Sequence, residues 1–369
     1  MDVWFVFDKD RHLAGLNVKP SQHANALAPR PQHPKPPFDY DAREVSYDNA
    51  RDKTHLAGTL TVPKGAGPFA AVLLVTGSGT QDRDETIFGH KPFLVIADHL
   101  TRHGIAVLRV DDPGAGGSTG DLAGATIESH ARDAEAGIAF LKTQKEIDPT
   151  RIGVIGHSEG GLIAAIVASQ SKDVAFVVSL AGPGVPGSTI NLMQVESSLR
   201  SRKNLPEPAI NEILTAQKKI VSLVMEGAED RVLQAALDDA LVVQQKHTGE
   251  SGGRAGAGAL KVLTSPWFKS FLKLDPQGYW RNVKVPVLAL NGSLDMQVAA
   301  DVNLREIQAA LRKGKNKNVQ IEKLAGLNHL FQPAKTGLVD EYGTISTTFD
   351  PKALDLMTSW LEKRSSRAK

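Results

Sequence analysis

Residues 151–167 read RIGVIGHSEGGLIAAIV, and this stretch decides the fold. Its first part is an apolar run typical of a buried strand, and its last part is an apolar run typical of a buried helix. Between them, Gly156 and Gly160 flank Ser158 in a Gly-x-Ser-x-Gly pattern. A serine on a sharp turn between strand and helix is exposed at the edge of a sheet, where it can act as a nucleophile. Ser158 is therefore the predicted nucleophile.

Two other stretches, Gly116–Gly120 and Gly249–Gly253, match the same short pattern. In a chain with 33 glycines the bare pattern is common, so its context decides. Ser118 lies in a glycine-rich loop several residues past its strand, and Ser251 lies in a polar stretch. Neither position joins a buried strand directly to a helix, so neither is predicted to be the nucleophile.

Strand and helix patterns alternate through most of the chain. The predicted strands are residues 44–47, 56–62, 70–76, 106–110, 152–155, 175–179, 285–290 and 319–324. The predicted helices between or after them are residues 93–103, 127–142, 162–169, 302–312 and 352–363. Such alternation indicates an α/β fold with a mainly parallel central sheet and helices on both faces.

The pattern divides the chain into three parts. Residues 1–42 form a predicted N-terminal arm with two short strands (residues 3–7 and 13–18) and a proline-rich linker. Residues 43–182 and 282–369 form the predicted catalytic domain. Residues 183–281 interrupt the alternation with helical patterns at 209–225 and 230–247, and we predict a mostly helical cap or lid. A helical subdomain with only a packing role is the alternative.

Composition excludes several classes of protein. The 369 residues contain 43 Lys and Arg against 41 Asp and Glu, so no general basic field favours a nucleic-acid partner. The absence of cysteine excludes disulfides, thiol nucleophiles and cysteine-ligated metals. No apolar run approaches the roughly 20 residues of a membrane span. The first eight residues lack a basic region and do not form a signal peptide as they stand, so the compartment stays open.

A serine nucleophile needs a histidine base, oriented by an acid, and in this architecture the chain order is serine, acid, histidine. Only His247 and His329 follow Ser158 among the 11 histidines. His329 lies in a loop after the last predicted strand and is the predicted base, whereas His247 suits a surface role. Asp295, in the loop that follows a predicted strand, is the predicted acid. Asp301 better suits the start of the next helix, where a carboxylate stabilises free N–H groups.

The predicted oxyanion hole consists of the backbone N–H groups of Ser78 and Glu159, with Gly79 as a second choice in the first loop. A substrate pocket is predicted from His157, Gly79 and apolar residues of the insertion: Met193, Trp267 and Phe268. For the apolar residues, core packing is an equally good interpretation. Asp82, Asp84 and Glu85 are expected to be solvated or paired with Arg83, and no metal site is predicted.

The motifs GHSEGG at 156–161, NGSLD at 291–295 and LNH at 327–329 resemble those of serine hydrolases of the α/β-hydrolase superfamily. Residues 76–84, TGSGTQDRD, are similar to a loop of bacterial esterases near the dienelactone-hydrolase and prolyl-oligopeptidase side. The resemblance extends from about residue 54 to residue 362. One position departs from it, since Pro113 stands where such esterases usually carry arginine. This puts in question an ion pair between that loop and Asp82 or Asp84.

The resemblance and the motifs together predict a serine carboxylesterase for small to medium acyl esters, with no cofactor. A thioesterase or peptidase would use the same three residues, and a non-catalytic binding protein of this fold would usually have lost one of them. The predicted partner is a small-molecule ester. Pairing of the strand at residues 3–7 with a second copy would produce a homo-oligomer.

Overall fold

The computed structural model describes most of the chain in six stretches. These are residues 6–7, 13–15, 29–120, 124–202, 204–248 and 257–365. The pattern match at residues 249–253, with Ser251, lies outside them, as do residues 3–5 and 16–18 of the predicted N-terminal strands. The described residues form two compact units. The smaller contains Val185–Asp275, residues 124–126 and two N-terminal strands, and the larger contains the other described residues.

The larger unit is built on an eight-stranded sheet. Its strands are β3 (Tyr40–Asn49), β4 (Thr54–Pro63), β5 (Phe69–Val75), β6 (Ile105–Val110), β7 (Ile147–His157), β8 (Phe176–Leu180), β9 (Val287–Gly292) and β10 (Val319–Leu324). They lie in the order β10-β9-β8-β7-β5-β6-β4-β3. Only the pairs β3–β4 and β4–β6 are antiparallel. The prediction of a mainly parallel α/β sheet is confirmed.

Helices cover the sheet because its central strands are apolar toward both faces. The helices of this unit are α1 (Pro92–Arg102), α2 (Ile127–Thr143), α3 (Glu159–Gln170), α9 (Pro276–Asn282), α10 (Ala300–Lys313) and α11 (Pro351–Ser365), with a 3₁₀ helix at Val339–Thr344. Phe93 of α1 and Trp360 of α11 belong to one buried cluster with Leu74 of β5 and Phe176 of β8. The buried α3, which directly follows Ser158, is apolar over nearly its whole length.

The strand order places two functional loops side by side. β5 pairs with β6 on one side and with β7 on the other, so the strands that follow β5 in the chain lie on both sides of it. In open α/β sheets the carboxyl ends of the strands at such a point border a crevice. The loop after β5 and the turn after β7 are therefore neighbours, and both carry residues predicted to be catalytic.

The smaller unit is mostly helical. Its elements are α4 (Gly187–Ser201), α5 (Glu207–Glu226), α6 (Asp230–Thr248), α7 (Ala257–Thr264) and α8 (Pro266–Lys273), with the antiparallel strands β1 (Val6–Phe7) and β2 (Leu13–Gly15). A buried cluster joins Val195 and Leu199 of α4 to Ile210 and Ile213 of α5. Gly227 caps the C-terminal end of α5 with a left-handed backbone, φ 76°.

Two features are absent from the described residues. No helix there is long and apolar enough to cross a membrane. No group of three or more His, Cys, Asp or Glu side chains in the same part of the chain is arranged to hold a metal ion.

Candidate active site

Ser158 forms a one-residue turn between strand and helix. β7 ends at His157 and α3 begins at Glu159. The backbone of Ser158 has φ 54° and ψ −121°, a conformation that L-residues rarely adopt. A Cβ on Gly156 would lie 1.9 Å from the Gly160 carbonyl oxygen, and one on Gly160 would lie 2.1 Å from a carbonyl oxygen of β5. Both glycines are therefore required by close backbone contacts, and Ser158 is more exposed than either neighbour.

Asp295 is held by the loop that follows β9. Its Oδ1 accepts hydrogen bonds from the backbone N–H groups of Gln297 and Val298, each at 2.8 Å. Its Oδ2 accepts a hydrogen bond from Nδ1 of His329, also at 2.8 Å. Both side chains are buried. With Nδ1 donating to a carboxylate, the other ring nitrogen of His329 can accept a proton, as a general base must.

The loop after β10 presents His329. The neighbouring Asn328 stabilises the loop, since its Oδ1 accepts hydrogen bonds from the N–H groups of Leu330 and Gln332. Burial lowers the pKa of His329 below its ordinary value, although the charge and hydrogen bond of Asp295 oppose that shift. The imidazole is therefore largely neutral near pH 7, which is the form that can take a proton.

The structure brings His329 next to the Ser158 turn. The imidazole ring of His329 lies 4.8 Å, between centroids, from the ring of His157, the residue that precedes the serine. The described residues show no hydrogen bond between the Ser158 hydroxyl and the His329 ring. Bonds between a nucleophile and its base are often long before substrate binds and shorten during the reaction.

The loop after β5 lies against the serine. A Cβ on Gly77 would be 3.2 Å from the Ser158 Cβ, so this loop approaches the serine closely. The Gly77 N–H donates to Oε1 of Glu85 at 2.7 Å and is not available to a substrate. The Ser78 hydroxyl donates to Oε2 of Glu159 at 2.8 Å, which ties the loop to the first turn of α3. Ser78 and Glu159, the predicted oxyanion donors, are thus joined through their side chains.

Acidic side chains at the end of β6 fix the same loop. Asp112 accepts hydrogen bonds from the Thr76 hydroxyl at 2.8 Å and from the Gln81 N–H at 2.9 Å. Burial raises the pKa of Asp112 to about 7. Asp111 accepts from the backbone and the guanidinium of Arg83. These bonds hold the loop after β5 against the loop after β6.

The ion pairs of this region correct two expectations. The acids after residue 81 are not simply solvated: Asp84 pairs with Arg109 and Lys91, and Glu85 is buried. Arg83 pairs with Asp111 and Glu44 and not with its near neighbours. Pro113 supplies no cation, but an ion pair still joins the two loops. It forms between Arg83, in the loop after β5, and Asp111, in the loop after β6.

The remaining candidates pair with other residues or belong to the smaller unit. Asp301, in the first turn of α10, is exposed and pairs with Lys323, and His247 on α6 pairs with Glu212. Three predicted pocket residues belong to the smaller unit. These are Met193 on α4, Phe268, which is buried on α8, and Trp267, which stacks on Phe271.

His157 and Glu85 have contacts that the sequence did not predict. His157 was predicted to line a pocket, yet its ring is buried, with Nδ1 2.9 Å from Oε1 of Glu85 and Nε2 3.0 Å from the His329 carbonyl oxygen. Gly79, the alternative oxyanion residue, lies two residues after Gly77 in the loop after β5 and has φ 93°. Glu85 follows Gly77 by eight residues, in the same loop. The sequence alone does not indicate which acid of that loop is buried.

The chain is similar to one protein family and to several known proteins. The family described as "Serine aminopeptidase, S33" matches residues 91–248, a span that contains Ser158 but neither Asp295 nor His329. Esterase EstD of Thermotoga maritima is 26% identical over 360 residues, which cover 96% of this chain and 75% of that protein. Among solved structures, the alpha/beta hydrolase GrgF from a Penicillium species matches with a TM-score of 0.54 and 16% identity, covering 88% of this chain and 99% of that one. Esterase Pf2001 of Pyrococcus furiosus matches with a TM-score of 0.51 and 16% identity, covering 88% and 93%.

Proposed function

The chain has the α/β-hydrolase fold, and from that premise we propose that it is a serine carboxylesterase for small to medium acyl esters. The observation that carries the proposal is the 2.8 Å bond from His329 to Asp295 beside a serine in a strained turn. Together these features supply a nucleophile, a base and the group that orients the base. The esterases of Thermotoga and Pyrococcus named above support the choice of ester bonds.

In the first half of the reaction the Ser158 oxygen attacks the ester carbonyl, and His329 takes the hydroxyl proton. The carbonyl oxygen becomes an alkoxide and accepts hydrogen bonds from the N–H groups of Ser78 and Glu159. When the tetrahedral intermediate collapses, the bond to the alcohol oxygen breaks and His329 gives its proton to the leaving alcohol. The acyl group is then attached to Ser158. Asp295 stabilises the imidazolium that exists between the two proton transfers.

In the second half a water molecule attacks the acyl-serine, and His329 removes one of its protons. The same two N–H groups stabilise the second alkoxide. Collapse releases the carboxylic acid, and the proton on His329 returns to the Ser158 oxygen. Atoms and charges balance over the cycle, and the proposed chemistry uses no cofactor. Fixing the donor loop by Asp112 and Asp111 supports this scheme, because donors that do not reorganise stabilise an alkoxide best.

A peptidase is the second candidate, and one observation favours it. The family that matches residues 91–248 is described as a serine aminopeptidase. An aminopeptidase would bind the free amino group of its substrate with a carboxylate near the serine. The acids described around the serine already have partners, as Glu85 is bonded to His157 and Gly77 and Asp112 to Thr76 and Gln81. This favours the esterase.

The test compares substrates at matched concentration. Turnover is measured for p-nitrophenyl esters from acetate to laurate, for a thioester and for several aminoacyl p-nitroanilides, with Ser158→Ala as the control. We expect ester turnover that is lost in the control, with the best chain length in the short to medium range. Anilide turnover without ester turnover would establish the peptidase, and a folded protein inactive on every substrate would leave a binding role.

A further inference from the structure

Glu85 and His157 form a second buried acid–imidazole pair behind the serine. Their side chains are only 5% and 8% exposed. Oε1 of Glu85 accepts hydrogen bonds from the Gly77 N–H at 2.7 Å and from His157 Nδ1 at 2.9 Å. On its other side, Nε2 of His157 donates to the carbonyl oxygen of His329 at 3.0 Å. One continuous chain of hydrogen bonds therefore runs from the donor loop after β5 to the backbone of the predicted base.

We propose that Glu85 and His157 are positioning residues, which hold the His329 backbone and the Gly77 loop in fixed register around Ser158. The proposal rests on the proposed function and adds to it two residues that touch no reacting atom. Gly77 precedes the oxyanion donor Ser78, and His329 is the base. A shift of either group by a fraction of an ångström would misplace a donor or the proton acceptor, and such displacements lower rates steeply.

The hydrogen-bond pattern favours a charged imidazole. With Glu85 ionised, both nitrogens of His157 face acceptors, a carboxylate and a carbonyl oxygen, and only the imidazolium has a proton for each. Burial alone would lower the pKa of His157, but the charge and hydrogen bond of Glu85 and the His329 carbonyl outweigh it and raise the pKa. The pair is therefore an ion pair in which the carboxylate is needed to keep the link to His329.

His90 provides a comparison within the same molecule. It is buried, and its Nε2 also donates to a backbone carbonyl, that of Tyr342, at 2.9 Å. Its Nδ1, however, faces the Thr348 hydroxyl at 2.9 Å, a group that can donate as well as accept. A neutral ring satisfies both contacts, and burial lowers the pKa of His90 to about 4. The two histidines differ in the partner at Nδ1, which decides whether the ring is charged.

The charge on His157 also acts on the base. The groups that face the His157 ring are Glu85 on one side and the His329 ring on the other, with Asp295 behind His329. The charge of His157 lowers the pKa of His329, whereas that of Asp295 raises it. When His157 loses its charge, the pKa of His329 therefore rises. The acidic limb of the pH–rate profile then moves to higher pH.

Glu85→Gln is the first variant, because the amide keeps the shape and removes the charge. Its single oxygen can accept from Gly77 and His157, but a neutral His157 has one proton for two acceptors. One link is lost either way. We expect kcat to fall about 10- to 100-fold with KM nearly unchanged. His157→Gln is the second variant, since its amide can still donate to the His329 carbonyl. The double variant should lower kcat little more than either single variant, because both residues act through the same chain of hydrogen bonds.

The decisive readout is the rate at which a fluorophosphonate labels Ser158, measured from pH 5 to 9. It reports the protonation of His329 without depending on which ester or amide is preferred. We expect the midpoint of the acidic limb to rise in Glu85→Gln, because the charge of His157, which lowers the pKa of His329, is lost. His90→Gln is the matched control and should lower the melting temperature without changing the labelling rate or the midpoint.

The outcomes separate the two proposals. A wild-type protein that is labelled but turns over no ester refutes the esterase and leaves the positioning pair open to the pH test. An unmoved midpoint together with an unchanged labelling rate in folded Glu85→Gln and His157→Gln overturns the positioning role. A wild-type protein that is not labelled at all removes Ser158 as the nucleophile, and with it both proposals.

Discussion

Replacing Asp295 by asparagine exchanges one carboxylate oxygen for an amide NH2 group and tests the proposed triad most directly. Oδ1 of the new side chain can still accept from the N–H groups of Gln297 and Val298, so the loop after β9 keeps its shape. The Nδ2 amide group, however, then faces Nδ1 of His329 at the position where a carboxylate oxygen accepts at 2.8 Å. The amide donates, so Nδ1 must become an acceptor. The ring proton moves to the other nitrogen, which no longer works as a base.

The size of the effect follows from that change of tautomer. A correctly placed imidazole with its proton on the wrong nitrogen costs about 10³- to 10⁴-fold in kcat, or roughly 4 to 5.5 kcal/mol of transition-state stabilisation. Two contributions survive in the variant: the oxyanion donors and the serine itself. The loss should therefore be smaller than in Ser158→Ala or His329→Ala. KM should change little, because Asp295 is buried and holds the base instead of the substrate.

The assay is kcat and KM for a p-nitrophenyl ester between pH 5 and 9, with thermal unfolding as the check on folding. Asp301→Asn is the matched control, because it makes the same chemical change at an exposed carboxylate paired with Lys323. Exposed ion pairs contribute about 1 kcal/mol or less, so this variant should stay within a few-fold of the wild type. If Asp301→Asn loses more activity than Asp295→Asn, the acid has been assigned to the wrong residue.

Four further expectations concern single positions. Ser158→Ala should reduce turnover by about 10⁵-fold or more while the melting curve stays cooperative, and retained turnover would contradict the nucleophile assignment. His329→Ala should lose comparable activity, whereas His247→Ala should leave kcat nearly unchanged. Gly160→Ala should destabilise the protein by about 1 to 3 kcal/mol in denaturant titration, because its Cβ would meet a carbonyl oxygen at 2.1 Å. Gly278→Ala, in α9 with open space, should be neutral or stabilising, and equal effects would count against the argument. Because the pKa of His329 is lowered and the base acts when unprotonated, kcat/KM should fall only as pH drops below about 6.5.

The alternation of strands and helices was predictable because burial on both faces of the sheet makes strands nearly continuously apolar. All eight strands of the large sheet were expected, with ends off by a few residues. The helix α4 was not, since Asn191 and Ser198 are buried in it and interrupt the apolar period. A hydrogen bond between Asn191 and Gln217 of α5 satisfies one of these groups. Tertiary contacts of this kind cannot be recognised in a single sequence.

For the candidate site, chain order and local motifs predict Ser158, Asp295 and His329, and the structure places each after a strand of the sheet, with His329 bonded to Asp295. The contacts between loops were not predictable. Glu85 and His157 are 72 positions apart, and an acidic residue in a loop is usually solvated. They come together because β5 and β7 are neighbours in the sheet. The same holds for Arg83 and Asp111, whose pairing depends on the neighbouring ends of β5 and β6.

The backbone of Ser158 has a consequence for the evolution of the chain. Its φ and ψ are the mirror image of an ordinary extended conformation, which glycine adopts freely and serine adopts at a cost of about 1 to 3 kcal/mol. We therefore expect Ser158→Gly to melt at a higher temperature than Ser158→Ala. On the proposed function, selection for catalysis keeps this protein less stable than a single substitution would make it. A descendant that no longer needed the proposed reaction would gain stability by losing Ser158, and the same substitution would give a stable variant in which the proposed ester substrate could be crystallised intact.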